Sequence, residues 1–173
     1  MLYLFPNDDR SKAIYTKLDF IQNVSDDNPY EVQMNKVVCN TILRDDIHTL
    51  RHLKKEGYTG WNEFHLQLVC CTGNLELFIF LTEVCGIQVQ PLLHLTYAAE
   101  RNFIEILRYA YSNFCIDSSW NTLFAYARQR KQKVAEDFCL KCAIETIQSD
   151  ADVDNLNQLI ENCLTIDMKS ISI

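Results

Sequence analysis

The chain has 173 residues, 48% of them hydrophobic and 23% charged, with four glycines, three prolines and a net charge of −7. That length suits one domain that buries roughly two-thirds of its unfolded surface. So little glycine and proline excludes an all-β fold and glycine-rich phosphate cradles, and the acidic balance opposes nucleic acid.

In chain order, Met1 to Pro6 is apolar but too short for a signal peptide, and Asp8 and Asp9 follow it. Asp8 to Val24 carries Ile14, Leu18 and Ile21 on one helical face and reads as an N-terminal capping helix. Ser25 to Asn28, before Pro29, is a loop. Asp45 to Gly57 reads as an amphipathic helix whose acidic start suits the helix dipole. His65 to Cys70 and Leu75 to Leu81 follow as a short helix, a turn and a second helix. Both recur 29 residues on, as His94 to Ala99 and Ile104 to Ile106. Trp120-Asn121 echoes Trp61-Asn62 and sets a third copy at an offset of 59, with Leu75 over Val134 and Ile79 over Phe138. Ser149 to Leu164 closes the series as a C-terminal capping helix. The expected organisation is a single domain, residues 1–173, with an N-terminal cap region (1–37), repeats (38–145) and a C-terminal cap helix and tail (146–173). It is monomeric or weakly dimeric, end to end.

Little here points to chemistry. The longest aliphatic-aromatic run, Leu77 to Leu81, is far too short for a membrane span. The eight cysteines read as reduced thiols. Cys139-Leu140-Lys141-Cys142 is a C-x-x-C that lacks a second pair, and all four histidines lie upstream of it. It leaves one alternative function, a metal- or thiol-dependent regulator using Cys139 and Cys142. His48 and His52 read as an exposed helix face, and His65 and His94 as repeated packing or hydrogen-bonding positions. Arg128, Arg130, Lys131 and Lys133 read as a solvated helix end. No nucleophile or zinc-protease motif occurs, so neither enzyme activity, cofactor nor metal is expected.

Leu66 to Leu81, with Thr72-Gly73-Asn74-Leu75-Glu76-Leu77, resembles the inner half of an ankyrin repeat, T-P-L-H-L-A-A-x-x-G-H-L-E-I-V-x-x-L-L. Val69 and Cys70, then Ala98 and Ala99, take the two alanine positions. Gly73 takes the inter-helix glycine, Gly57 the one that ends the outer helix, and Asn102 replaces the former in the next unit. No unit carries the T-P-L-H start. The resemblance implies an all-α fold, a short solenoid of stacked helix-turn-helix repeats between capping helices. It further implies a protein partner, held by inter-repeat loops and the concave inner-helix face. Those loops are Glu56 to Glu63, Gly86 to Pro91 and Cys115 to Asn121. Tyr58, Trp61 and Trp120 are the expected anchors, with Gln88, Gln90 and Asp117 beside them. The degenerate, cysteine-rich units are also similar to ankyrin-like proteins of large DNA viruses, which implies modulation of host signalling. The expected location is cytoplasmic, in the host cell if viral, with no membrane or nucleic-acid partner.

Overall fold

The structure is a computed structural model that describes residues 29–114, 116, 119–150 and 157. The expected N-terminal capping helix and nearly all of the C-terminal one lie outside the described residues. The fold is all-α. Among the described residues the elements are α1 (Pro29–Leu43), α2 (Ile47–Lys55), α3 (Glu63–Thr72), α4 (Leu75–Ile79), α5 (Pro91–Glu100), α6 (Ile104–Asn113), α7 (Ser119–Gln129) and α8 (Lys133–Asp150). A π-helical turn, Phe80–Val84, continues α4. These elements fall into two compact units divided between Gln88 and Val89, each made of two helix pairs.

Every pair turns on one residue with left-handed backbone. These are Asp45 (φ 55°), Gly73 (φ 82°), Asn102 (φ 64°) and Lys131 (φ 57°), at intervals of 28, 29 and 29 residues. Glycine adopts that conformation without penalty, whereas a side chain pays roughly 1–2 kcal/mol for it. The other three turns recover part of that cost in hydrogen bonds. Asp46, Phe103 and Gln132 donate their N–H groups to the carbonyls of Thr41, Ala98 and Ala127, at 3.1, 2.9 and 2.9 Å. Asp45, Asn102 and Lys131 donate to Ile42, Ala99 and Arg128, at 3.0, 3.4 and 2.9 Å. This paired pattern satisfies carbonyls that a helix C-terminus otherwise leaves open.

Burial repeats with the turns. Leu66, Leu95 and Phe124 share one position, and Val69, Ala98 and Ala127 a second. Leu77, Ile106 and Ala135 share a third, and Leu81, Ala110 and Cys139 a fourth, none more than 1% exposed. The third copy therefore lies 58 residues from the first, not at the expected 59. One residue rotates a helix by about 100°, and the expected register sets Val134, 55% exposed, over half-buried Leu75. The tryptophan-asparagine echo is a coincidence of letters. Asn62 precedes α3 as its N-cap, while Asn121 lies inside α7.

In the first unit α1 packs against α2 and α3, and α3 against α4 and the π turn. Asn74 Nδ2 donates to Asp45 Oδ1 at 3.2 Å, tying one turn to the next. In the second unit α5 packs on α6, α7 and α8, and α8 also packs on α6 and α7. There Asn102 Oδ1 accepts the Ala135 N–H at 2.9 Å, so one turn caps the first turn of the following outer helix.

Replacing Lys131 with Gly removes the side-chain penalty and adds unfolded-state entropy, for an expected net gain of about 0.5–1 kcal/mol. Asn102→Gly relieves the same conformation but loses the cap, so it is expected to destabilise by about 0.5–1.5 kcal/mol. Urea midpoints of the two variants should move in opposite directions; a shared direction would refute this account of the turns.

Candidate interaction surface

The loop from Gly57 to Asn62 closes on itself through its aromatic residues. Trp61 Nε1 donates to the Tyr58 carbonyl at 2.8 Å, and the Tyr58 hydroxyl donates to the Gly60 carbonyl at 3.1 Å. The two rings meet edge to face with centroids 4.9 Å apart. A Cβ at Gly60 would stand 2.6 Å from the Tyr58 hydroxyl oxygen, so the clamp needs glycine there. On its other side Trp61 meets Phe80 at 5.7 Å and His65 at 6.3 Å. Both Tyr58 and Trp61 are half-buried. Each keeps part of its ring in solvent while the loop is pinned from within.

The end of that loop is set by a reciprocal cap. Asn62 Oδ1 accepts the N–H groups of Phe64 (3.1 Å) and His65 (3.4 Å), and the Asn62 N–H donates to His65 Nδ1 at 3.2 Å. An imidazole stands here where a glutamate usually reaches back. In the second unit the Gln90 N–H donates to His94 Nδ1 at 2.9 Å. The repeated histidines thus have the hydrogen-bonding role their spacing suggested. An accepting Nδ1 puts the neutral ring's proton on Nε2, and burial pushes the His65 pKa down from 6.5 to about 4.

The remaining expected contacts separate. Gln88 and Gln90 are exposed, and Asp117 lies outside the described residues. Trp120 corrects the reading: it is 0% exposed and packs edge-on against Tyr111 (5.6 Å) and Phe138 (5.8 Å). Because α7 begins at Ser119, the ring falls inside the helix and joins the buried face that α7 turns to α8. It offers a partner no surface. The sequence also hid Gly60, whose importance depends on where the Tyr58 ring lies.

In the basic cluster Arg130, Lys131 and Lys133 are exposed, and Arg130 and Lys133 have acidic neighbours. Lys133 Nζ lies 2.9 Å from Asp137 and 3.6 Å from Glu136, Arg130 lies 3.9 Å from Glu100, and the Arg128 guanidinium stands 5.7 Å from the Phe124 ring centre. His48 and His52 are exposed on α2. Cys139 and Cys142 are buried; burial raises the Cys139 thiol and pushes the Cys142 thiol up to about 12. The thiolate is the form that binds metal or attacks, so this pair is poorly placed for either. Among the described residues no three His, Cys, Asp or Glu side chains converge as a metal site. No described helix is long and apolar enough to cross a membrane. Comparison with family models, with curated proteins and with solved structures finds no match.

Two outcomes test these assignments. Between about pH 6.5 and pH 4 the unfolded chain protonates residue 65 while the folded chain resists, so stability falls as pH falls through that window. The loss from His65 is expected to approach about 3 kcal/mol and then level off below pH 4. Chemical denaturation across that range should show a shallower fall for His65→Gln. Separately, Cys139 and Cys142 should resist a thiol reagent in native protein and react on unfolding, read by peptide mass spectrometry. Fast native labelling of either would revive the thiol-based alternative.

Proposed function

We propose that the chain is a non-enzymatic protein-interaction module, its helix pairs acting as ankyrin-like units. It holds a partner protein through the loops that join successive pairs and through the inner helices. The observation that carries this reading is the recurrence of left-handed turns at 28–29 residues in every described pair, with four fully buried positions repeating at 29 residues in the last three. Bonds from one turn to the next, Asp45 to Asn74 and Asn102 to Ala135, support pairs built as repeating units. One pair cannot cover its own apolar face, so such units gain stability from neighbours.

A second support is what the polar residues are used for. His65, His94, Asn62, Asn74 and Asn102 hydrogen-bond to helix ends and turns, and Cys139 and Cys142 are buried. Chemistry-bearing side chains are thus spent on the scaffold. The aromatic loop favours binding for a different reason: with its rings already clamped, it loses little freedom when a partner docks.

Photo-cross-linking distinguishes this reading from a featureless surface. A photoreactive residue would replace Thr59 or Gln88 in the loops, or exposed Arg108 on α6 as a control. In cytoplasmic extract both loop positions should trap the same partner protein, and the control should not. Equal trapping at all three sites, or at none, would remove the proposal.

A further inference from the structure

The first unit carries another surface, formed by α2, α4 and the π turn. Four of the nine residues of α2 (His48, Arg51, His52 and Lys55) are exposed and spaced i, i+3, i+4, i+7, which makes one continuous stripe. No residue of α2 is acidic, in a chain whose net charge is −7. Beside the stripe lies a surface hollow of about 400 Å³ lined by Arg51, Leu75, Glu76, Ile79, Phe80 and Val84. Phe80 is 4% exposed and Val84 54%, and Trp61 meets the Phe80 ring edge to face. The π turn that ends the hollow is a rare element, and such turns recur at functional sites.

A cation stands at this apolar hollow. Arg51 lines it, and Lys54 follows Arg51 by about one turn of α2. Arg51 Nη2 lies 3.0 Å from Glu76 Oε1, with both side chains more than half exposed. An ion pair so exposed contributes little, and a guanidinium fork can take a second carboxylate.

We propose that this face docks an acidic, amphipathic segment of a partner protein. Its apolar side chain enters the hollow and its carboxylates meet Arg51 and Lys54. The apolar hollow decides against nucleic acid, whose phosphates would leave it empty. Trp61 of the aromatic loop touches Phe80, but the residues lining the hollow are distinct from the loop positions Thr59 and Gln88, so the proposal stands whether or not those trap a partner.

The probe is a fluorescent helical peptide of about four turns, with leucines at i, i+3 and i+7 and glutamates elsewhere. A matched peptide has lysine for each glutamate. Anisotropy with the full chain should show the acidic peptide binding at least about tenfold tighter, and salt should weaken it. Lys54→Glu and Val84→Asp should each weaken binding about tenfold, while Glu76→Gln, which frees Arg51 from its competitor, should tighten it severalfold. Amide shifts in wild-type protein should cluster at Arg51, Glu76, Ile79 and Val84, a readout independent of how the variants fold. Equal binding of both peptides overturns the proposal, as do shifts elsewhere or weaker binding to Glu76→Gln. So does displacement of the peptide by anionic vesicles or duplex DNA, because a general polyanion surface would then explain the cations.

Discussion

Helices of nine or ten residues, such as α2, α3, α5 and α6, are too short to persist alone in water. They persist here because each is folded back at once on its neighbour, and the left-handed residue between them makes that possible. Glycine is the inexpensive solution and appears once, at residue 73. Asp45, Asn102 and Lys131 accept the strain, and the paired hydrogen bonds around them offset it. The turn also fixes the rotational phase of the helix that follows. Four buried positions therefore recur in step with it across three pairs, although the side chains at them range from alanine to phenylalanine.

That phase control dictates what the polar residues can do. A short helix has almost as many open backbone groups as closed ones, so several of the N-terminal ends consume a polar side chain. Asn62, Asn74 and Asp46 serve as N-caps, and His65 and His94 accept the N–H of the residue at the helix entrance. Trp61 belongs to the same economy: its indole N–H closes the loop and its ring covers Phe80. The surfaces left over once the scaffold is satisfied are half-buried aromatic residues and solvent-facing helix stripes, and the proposed binding rests on these.

Much of this was legible in the sequence, and the failures are specific. The His-Leu recurrence at 29 residues was readable because both histidines perform the same capping act. The turn at Asn102 was readable because asparagine commonly substitutes for glycine in left-handed backbone. Lys131 carries no such signal, and without it a two-letter match at Trp120-Asn121 outweighed the hydrophobic register. Leu66 over Phe124 and Val69 over Ala127 give the right offset, yet substitutions of that size hide a repeat. With the slip came a misplaced tryptophan. The π turn at Phe80–Val84 was beyond reading, because one extra residue per turn leaves no mark on so short an apolar run.

Net charge was the coarsest guide, and its limit is geometric. A charge of −7 spread over the chain describes the field met by a distant partner, where it favours a basic one. Within a Debye length of about 8 Å the nearest side chains dominate instead. A nine-residue helix is about 13 Å long, and α2 itself carries cationic side chains and no carboxylate, its acidic neighbours being Asp46 and Glu56 at its ends and Glu76 beside Arg51. Its lysines gather in the last turn, where the helix C-terminus stabilises them without any partner. The dipole does not account for Arg51, which sits mid-helix and reaches across to Glu76 at the hollow's edge. An acidic protein can therefore repel polyanions at long range and still hold a short acidic segment at contact, provided an apolar side chain anchors it. The hollow supplies that anchor point, and it separates a selective surface from a merely charged one.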